Sequence, residues 1–436
     1  MLKKRLFIFM LAATTTVSML FAQQDWSKAR QEIHDNIRLS ASNLLAYVDP
    51  TAADVLTPTP KGYEPFYMSH YGRHGSRWLC GDGEYMDDVL VPLRKARDLG
   101  KLTAAGQQLL SDVEKFYVCC DKRAGDLTTV GERQHHRIGK RMTERFPTIF
   151  GSKNSQVDAR STVVKRCIMS MMAECEELTA FNPNLRIHND VGDCFQYYLA
   201  PAAPAEVKKA IKKRGDVVDE YRKKFIHPER FINTIFNDQV YIRDSVEQIP
   251  LMRHIFNVCS NMQSHDNGID MYRYFTEDEC YDIWRAHNIE WYTGYGASPL
   301  SDKKAPLRVS GLLKNFIETA DTIVGNKSFV GATLRFGHEV YVLPMATLME
   351  LGDAGVVVSD LDRLDYQWAN YRIFPMASNI QLIFYRPKKG KDGDILVKAL
   401  LNEREVTLPG TPVTGSYYKW NDLRAYYLQK MATVKN

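Results

Sequence analysis

The stretch that decides the fold is EPFYMSHYGRHGSR, residues 64–77. Residues 64–70 have the aromatic and apolar content of a buried strand. They run directly into YGRHGSR, so the basic residues Arg73, His74 and Arg77 follow the end of that strand. In α/β sheets, ligands bind outside the carboxyl ends of the strands. The sequence therefore predicts a positively charged functional site at this strand end.

Strand and helix patterns alternate along the rest of the chain, which favours an α/β layer fold. A short strand at 155–159 precedes a helix over 160–179, for which Ser161 and Thr162 are candidate N-caps. A second strand at 328–336 runs into GHE, residues 337–339. We predict a mixed, largely parallel sheet flanked by helices and closed by an antiparallel hairpin. The other predicted helices are 86–99, 103–117, 127–146 and 342–351, and the hairpin strands are 380–385 and 394–398.

Changes in composition divide the chain into segments. Residues 23–60 combine an amphipathic stretch, 29–45, with a proline-rich linker, and predict a lead-in helix. From 194 to 304 the charge rises and the apolar spacing becomes helical, which predicts an inserted, mostly α-helical cap. The α/β core would then consist of two parts. These are residues 61–193 and 305–436.

The first 22 residues have the features of a secretory signal. Lys3, Lys4 and Arg5 precede an apolar run of 17 residues, 6–22. A membrane anchor needs about 20 apolar residues, and this run is interrupted by threonines. We expect cleavage after Ala22, export to the periplasm or the medium, and no membrane span in the mature chain.

Charge and cysteine content narrow the function classes. The net charge of +5 falls to +2 without the first 22 residues, which argues against nucleic-acid binding by bulk neutralisation of phosphates. With so small a net charge, an anion must be bound by a local cluster of basic residues. All eight cysteines follow the signal and none forms a CxxC pair, so a zinc ribbon is excluded. Disulfides and isolated buried thiols both remain open.

The basic residues near the predicted strand ends suit phosphate chemistry. Arginine offers a planar fork of donors that fits phosphate oxygens, so Arg73, Arg77 and Arg166 are candidate phosphate ligands. His74, between two guanidiniums, would be held neutral and keep one ring nitrogen free to attack phosphorus. Glu339 is a candidate proton donor to the leaving alcohol, for which we expect either acidic working conditions or burial that raises its pKa. Its alternative role is an ion pair with a neighbouring arginine.

Metal and cofactor chemistry is not predicted. His338-Glu339 does not extend to His-Glu-x-x-His, because Val342 stands at the second histidine position. We expect His135 and His136 to lie on a solvated helix face. The three arginines already supply the positive charge that Mg²⁺ supplies in many phosphoryl-transfer sites. We therefore predict neither a metal ion nor any other cofactor.

From about residue 66 to the C-terminal strands, the chain resembles the histidine acid phosphatase family, in the branch of phytases and multiple inositol polyphosphate phosphatases. The motifs that carry this resemblance are RHGSR (73–77), LTTVG (127–131) with the following Gln134 and His135, RSTVVKR (160–166) and GHE (337–339). The resemblance implies a phosphoglycerate mutase-like core with a helical cap.

The resemblance also implies roles for individual residues. His74 would be the nucleophile that becomes phosphohistidine, and Glu339 would replace the family's aspartate as proton donor. The phosphate ligands would be Arg73, Arg77, Arg166 and His338.

The chain departs from the family pattern at two positions near these residues. Leu79 occupies a position where the family commonly has proline. Glu339 follows His338 directly, whereas the inositol polyphosphate branch usually has alanine between the histidine and the glutamate.

We expect an exported phosphomonoesterase for a small phosphate ester, with inositol polyphosphates such as phytate as the substrate implied by the resemblance. The alternatives are a broad-specificity acid or sugar phosphatase and, from another class, a phosphate-ligand binding protein without turnover. A basic patch in the cap could meet additional phosphates, but a solvated helix face is the favoured interpretation. This patch consists of Lys208, Lys209, Lys212, Lys213, Arg214, Arg222, Lys223 and Lys224.

Overall fold

The computed structural model of the chain describes residues 26–432. Its centre is one eight-stranded sheet. The strands are β1 (Tyr63–Arg73), β2 (Gln156–Ser161), β3 (Arg186–Val191), β4 (Gly331–Gly337), β5 (Asn379–Pro387), β6 (Leu396–Leu401), β7 (Arg404–Val406) and β8 (Tyr418–Lys419).

The sheet is mixed, as predicted. Its order is β3-β2-β4-β1-β5-β6-β7, with β8 also paired to β6. The strands β3, β2, β4 and β1 are parallel to one another, and β5 begins the antiparallel part. The predicted hairpin is formed by β5 and β6. Because β1, β2 and β4 are parallel, their carboxyl ends meet at the same edge of the sheet.

Helices flank the sheet and form a second layer. The predicted α/β architecture with helices around the sheet is confirmed. The helices are α1 (Lys28–Asp35), α2 (Val91–Asp98), α3 (Ala104–Cys120), α4 (Thr129–Arg145), α5 (Pro147–Phe150), α6 (Lys165–Phe181), α7 (Gln196–Leu199), α8 (Ala205–Lys212), α9 (Val217–Phe225), α10 (Glu229–Ile235), α11 (Gln239–Ser245), α12 (Gln248–Asn261), α13 (Glu277–Tyr295), α14 (Ser310–Gly325), α15 (Glu339–Leu348), α16 (Leu364–Gln367) and α17 (Trp420–Met431).

Burial along the strands follows their place in the sheet. Every residue of the central strand β4 is buried, as expected for a parallel strand covered by helices on both faces. The edge strand β3 is mostly exposed or half-buried, and its sequence is correspondingly polar. The residues at the carboxyl end of β4 are therefore held in a rigid, water-poor part of the molecule.

The helix that carries Arg166 begins later than predicted. The strand β2 continues to Ser161, which pairs with Phe336 of β4, and α6 begins only at Lys165. Ser161 and Thr162 are therefore not the N-caps of this helix. The pairing with β4 keeps the chain extended through Ser161, and this places Arg166 in the first turn of α6.

The region predicted as a helical cap contains α7 to α13, so its regular structure is helical. Its apolar side chains share a core with residues closer to the N-terminus. Ile255 and Phe256 of α12 belong to the same buried cluster as Leu109 and Phe116 of α3. The division into 61–193, 194–304 and 305–436 remains a prediction. The predicted lead-in is α1 followed by a 3₁₀ helix, Ile37–Leu44.

The predicted signal segment, residues 1–22, lies outside the described residues. Within residues 26–432, no helix combines the length and apolar character that a membrane crossing requires. All eight cysteines are free thiols. Five are buried and three, Cys80, Cys119 and Cys194, are exposed. The structure therefore favours isolated thiols over disulfides.

Candidate active site

The ends of β1 and β4 bring His74 and Glu339 together. Arg73 pairs with Gly337 in the parallel register, and the His74 backbone N–H donates to the Gly337 carbonyl oxygen at 3.0 Å. His338 follows β4 directly, and Glu339 opens α15. Residues that are 265 positions apart in the chain are thus neighbours because their strands are parallel and adjacent.

The loop after β1 is held by close packing and backbone hydrogen bonds. A Cβ atom at Gly75 would lie 2.4 Å from the carbonyl oxygen of Gly131 in α4, so only glycine fits there. The Gly75 N–H donates to Ser170 Oγ at 3.1 Å, and the Ser76 N–H donates to Gln134 Oε1 at 2.8 Å. Two helices therefore fix the backbone on the C-terminal side of His74.

His135 is buried, and the prediction that it lies on a solvated helix face is wrong. Its Nε2 lies 3.2 Å from the Arg73 carbonyl oxygen and its Nδ1 lies 3.0 Å from Glu174 Oε2. Burial raises the pKa of Glu174. His135 shares the inner face of α4 with Ile138 and Met142, a spacing that the sequence already contained. His136, by contrast, is half-buried and its Nδ1 lies 2.9 Å from Glu177 Oε1.

His74 has a free nitrogen suited to nucleophilic attack. Its side chain is fully buried, and Nδ1 lies 2.9 Å from the Gly75 carbonyl oxygen. Because a carbonyl oxygen only accepts, Nδ1 carries the proton and Nε2 keeps its lone pair. Burial, followed by the positive charges of Arg73 and Arg166, lowers the pKa of His74 well below its usual value against the opposing effect of Glu339. The imidazole is neutral.

The guanidiniums of Arg73, Arg77 and Arg166 lie around His74, and each has N–H donors that no protein group accepts. Arg73 Nη1 donates to the Phe374 carbonyl at 2.8 Å, Arg77 Nη1 to the Trp78 carbonyl at 2.9 Å, and Arg166 Nη1 to the Gly125 carbonyl at 3.2 Å. These bonds orient the arginines. The Nε atoms of Arg77 and Arg166, and Nη2 of Arg73, are buried without a hydrogen-bond acceptor. Such unsatisfied charged donors suit an oxyanion.

Glu339 forms the ion pair that was considered as its alternative role. Its Oε2 lies 3.1 Å from Arg73 Nε and 3.7 Å from His74 Nε2. Burial alone would raise the pKa of Glu339, but Arg73, the His74 contact and Arg77 together lower it well below its usual value. The expectation that burial raises this pKa is therefore wrong for the ligand-free protein, where Glu339 is a carboxylate.

His338 completes the group and is neutral as well. Burial, assisted by the nearby arginines, lowers its pKa to about 4. Its ring lies edge-on to the ring of His74 with centroids 5.5 Å apart. Thr162 Oγ1 and Cys167 Sγ lie 3.5 Å and 3.7 Å from its Nε2. Cys167 was not singled out from the sequence, where it is one of eight cysteines without a motif.

The same residues could also hold a cation. His74, His338 and Glu339 each offer a ligand atom, and these atoms lie within 4.8 Å of one another. The charges of Arg73 and Arg166 act on this place as well and oppose a divalent cation. The absence of a metal requirement remains a prediction. The guanidiniums of the site suit an anion better than a cation.

A basic cleft of about 520 Å³ adjoins the site through Tyr341, whose ring centroid lies 6.3 Å from that of His338. Part of the predicted basic patch lines it, together with one arginine from outside the patch. The four cations are Lys208, Lys212, Arg214 and Arg308.

Other members of the basic patch pair with acids instead. Lys213 pairs with Asp302, Lys224 with Asp362, and Arg222 with Glu290. Lys213 and Lys224 therefore form exposed surface ion pairs, as the solvated interpretation expected, whereas Arg222 and Glu290 form a half-buried pair.

The predicted site residues Arg73, His74, Arg77, Arg166, His338 and Glu339 all lie around one buried place at the carboxyl edge of the sheet. A histidine with a free Nε2 at the end of β1 is faced there by arginines and by a second histidine, which follows the parallel neighbour β4.

Solved structures share this fold. The multiple inositol polyphosphate phosphatase of Bifidobacterium longum, in a complex with inositol hexasulfate, matches with a TM-score of 0.70 at 19% identity over 89% of this chain and 97% of that chain. The phytase of D. castellii matches with a TM-score of 0.69 at 15% identity over 94% and 89% of the two chains. The phytase of Hafnia alvei matches with a TM-score of 0.55 at 11% identity over 86% and 98%.

No protein-family model matches the sequence. No curated protein matches it either. The similarity to the solved structures confirms the predicted fold, a mixed, largely parallel sheet flanked by helices, which this chain shares with those phosphatases.

Proposed function

We propose that this chain is a phosphomonoester hydrolase that acts through a phosphohistidine at His74, with inositol polyphosphates as its substrates. One observation carries the proposal. The free Nε2 of the neutral His74 lies in the field of the arginines Arg73 and Arg166 and 3.7 Å from a carboxylate, Glu339. A nucleophile, an anion clamp and a proton carrier are the parts that phosphoryl transfer needs. The names of the structural relatives support the phosphatase class.

In the first step, His74 Nε2 attacks phosphorus and the N–P bond forms as the bond to the ester oxygen breaks. Arg73, Arg77 and Arg166 stabilise the charge on the phosphoryl oxygens. An alkoxide is a poor leaving group, so the departing oxygen takes a proton from Glu339. General acid catalysis of this kind contributes about 10²- to 10⁴-fold.

Glu339 must gain a proton before it can donate one, and substrate binding provides the cause. In the ligand-free protein the arginines keep Glu339 ionised. A phosphate dianion among the same arginines offsets their positive charge and adds negative charge beside the carboxylate. Both effects raise the pKa of Glu339. Binding of the substrate is therefore coupled to proton uptake at the catalytic acid.

In the second step, water attacks the phosphohistidine and Glu339, now a carboxylate, accepts a proton from that water. The N–P bond breaks, its electron pair returns to His74 Nε2, and inorganic phosphate leaves. The acid of the first step is thus the base of the second. The Nδ1–H bond to the Gly75 carbonyl holds the imidazole in the same tautomer throughout.

The basic cleft supports a substrate with several phosphates, and we expect it to discriminate between substrates. In the double variant Lys208→Ser/Lys212→Ser, KM for phytate should rise about tenfold, because exposed charges contribute modestly and additively to anion binding. KM for glucose phosphate, which has one phosphate, should change little. Steady-state kinetics at low ionic strength measure both.

The matched control for the cleft is Lys213→Ser/Lys224→Ser, which removes two cations that pair with surface acids. An equal rise of KM for phytate in both double variants would mean that the effect is one of net charge. The specific role of the cleft would then be lost.

Export is part of the proposal and rests on residues 1–22. Lys3, Lys4 and Arg5 before the apolar run give these residues the order of a secretory signal. N-terminal sequencing of the protein from a secreting host should begin at Gln23.

A panel of esters tests the proposed function. Phytate, glucose phosphate and an aryl phosphate are assayed between about pH 3 and about pH 8, with and without chelator. We expect phytate to be turned over with the highest kcat/KM, and chelator to leave the rates unchanged. Negligible phytate turnover with good turnover of the other esters would indicate a general acid or sugar phosphatase. No turnover of any ester would indicate a binding protein, and loss of activity with chelator would overturn the metal-free mechanism.

A further inference from the structure

The helical region contributes a buried asparagine to the loop that carries the phosphate ligands. Asn261, the last residue of α12, is fully buried and its Nδ2 donates to the Arg77 carbonyl oxygen at 2.8 Å. Its Oδ1 accepts from the Tyr85 hydroxyl at 2.7 Å and lies 3.0 Å from His265 Nε2. Both ends of this side-chain amide are therefore engaged, which fixes its orientation.

The Tyr85 hydroxyl closes the network on the other side of the same loop. It accepts the backbone N–H of Leu79 at 2.8 Å. A proline at position 79 has no N–H and could not make this bond. The departure from the family pattern at Leu79 thus has a structural consequence. It allows Tyr85 and Asn261 to hold the backbone from Arg77 to Leu79 by both of its ends.

The network reaches a second phosphate ligand through the neighbouring loop. The Leu79 carbonyl accepts the N–H of Gly125 at 2.8 Å. The Gly125 carbonyl in turn accepts Nη1 of Arg166 at 3.2 Å. The Trp78 N–H also donates to the Asp126 carbonyl at 3.1 Å. A movement of the backbone at 77–79 would therefore move the support of Arg166 as well as Arg77.

We propose that Asn261 is a positioning residue that sets the geometry of the phosphate clamp through Arg77 and Arg166. The inference rests on the proposed function, in which these arginines bind the phosphoryl group. It means that the helical region is a structural part of the phosphate site. Misplacement of catalytic groups by about 1 Å costs about 10²-fold in rate, so such a residue has a large effect without touching substrate.

Asn261→Leu tests the proposal because leucine keeps the size of the side chain, adds no charge and removes the hydrogen bonds to Arg77, Tyr85 and His265. We expect the Kd for inorganic phosphate, measured by titration calorimetry, to rise about tenfold, as the loss of a buried hydrogen bond permits. We expect kcat for phytate to fall as well, since the clamp also stabilises the transition state. Tyr85→Phe is the milder variant and should act in the same direction.

The control for stability is Asn182→Leu. Asn182 is also buried, and its Nδ2 donates to the Phe150 carbonyl at the same distance of 2.8 Å. It caps the far end of α6, about 24 Å along the helix from Arg166 at 1.5 Å per residue. The substitution Asn182→Leu should lower the melting temperature about as much as Asn261→Leu, while it leaves the Kd for phosphate within about twofold of the wild type.

The outcomes separate this inference from the proposed function. A wild-type Kd for phosphate in folded Asn261→Leu and in Tyr85→Phe overturns the positioning role while the phosphatase proposal stands. If Asn261→Leu does not fold, Tyr85→Phe alone tests the positioning role. A raised Kd for phosphate in Tyr85→Phe then supports this role, and an unchanged Kd overturns it. A wild type that binds phosphate but hydrolyses no ester removes the proposed function, and a raised Kd in the variants still supports the inference. A wild type that binds no phosphate overturns both.

Discussion

His74→Ala is expected to abolish hydrolysis of every phosphate ester that the wild type accepts. The variant removes the only atom that the proposal assigns to attack on phosphorus, Nε2 of His74, and the arginines alone cannot form a covalent intermediate. The stability of the trapped phosphoenzyme in base distinguishes phosphohistidine from phosphoserine, which is stable in acid instead. The measurement is the incorporation of labelled phosphate after rapid quenching, which should be stoichiometric in the wild type and absent in the variant.

His74→Ala should still bind phosphate although it no longer catalyses hydrolysis. Arg73, Arg77 and Arg166 keep their carbonyl partners, so the affinity for inorganic phosphate should change only a few-fold. His136→Ala is the matched control, because this half-buried histidine contacts only surface glutamates of α6 among the partners described. Substantial turnover by His74→Ala would refute the phosphohistidine mechanism, since the phosphoryl group would then have to pass directly to water.

Glu339→Gln should show an effect that depends on the leaving group. For an alkyl phosphate such as glucose phosphate, kcat should fall about 10²- to 10⁴-fold, the contribution of a general acid. Nitrophenolate leaves without a proton, so the first step on an aryl phosphate should remain fast. The second step still lacks its base. Stopped-flow absorbance should therefore show a burst of one nitrophenolate per enzyme, followed by slow turnover.

The pH dependence of anion binding gives a second readout of the same carboxyl group. Its pKa is low in the free protein, and an anion should raise it, so the complex binds one more proton than the free protein. The affinity for sulfate, which stays a dianion, should increase as the pH falls from about 7 to about 5. In Glu339→Gln this increase should be lost.

The matched control is Glu177→Gln, a half-buried carboxyl paired with His136. It should behave as the wild type in both assays. Equal losses of kcat on alkyl and aryl phosphates in Glu339→Gln, without a burst, would mean that Glu339 serves only to orient Arg73.

Much of the site could be predicted because it is encoded locally. The strand pattern before YGRHGSR and before GHE places Arg73, His74 and His338 at strand ends, and β1 and β4 do end at Arg73 and Gly337. The period of side chains along a strand and the type of residue at its end are properties of a few neighbouring positions. The α/β fold and the hairpin of β5 and β6 were predictable for the same reason.

The misses concern quantities that depend on distant parts of the chain. The start of α6 was predicted too early, since Ser161 is held extended by pairing with Phe336. His135 was assigned to solvent, whereas Glu174 of α6 covers it. Burial that raises the pKa was one of the two ways in which Glu339 was expected to hold its proton, but the guanidinium of Arg73 reverses the direction. In each case the deciding partner lies far away in sequence.

The amino-acid sequence by itself determined the strands and helices next to the site, the types of residue at the ends of those strands, and the supply of positive charge for an anion. These follow from local conformational preference and from the residues themselves. Only the tertiary structure decided which of these groups carry a proton and which hold one another in place. Ionisation and orientation depend on burial and on separations of a few ångströms between side chains from different elements, and the packed chain alone sets those separations.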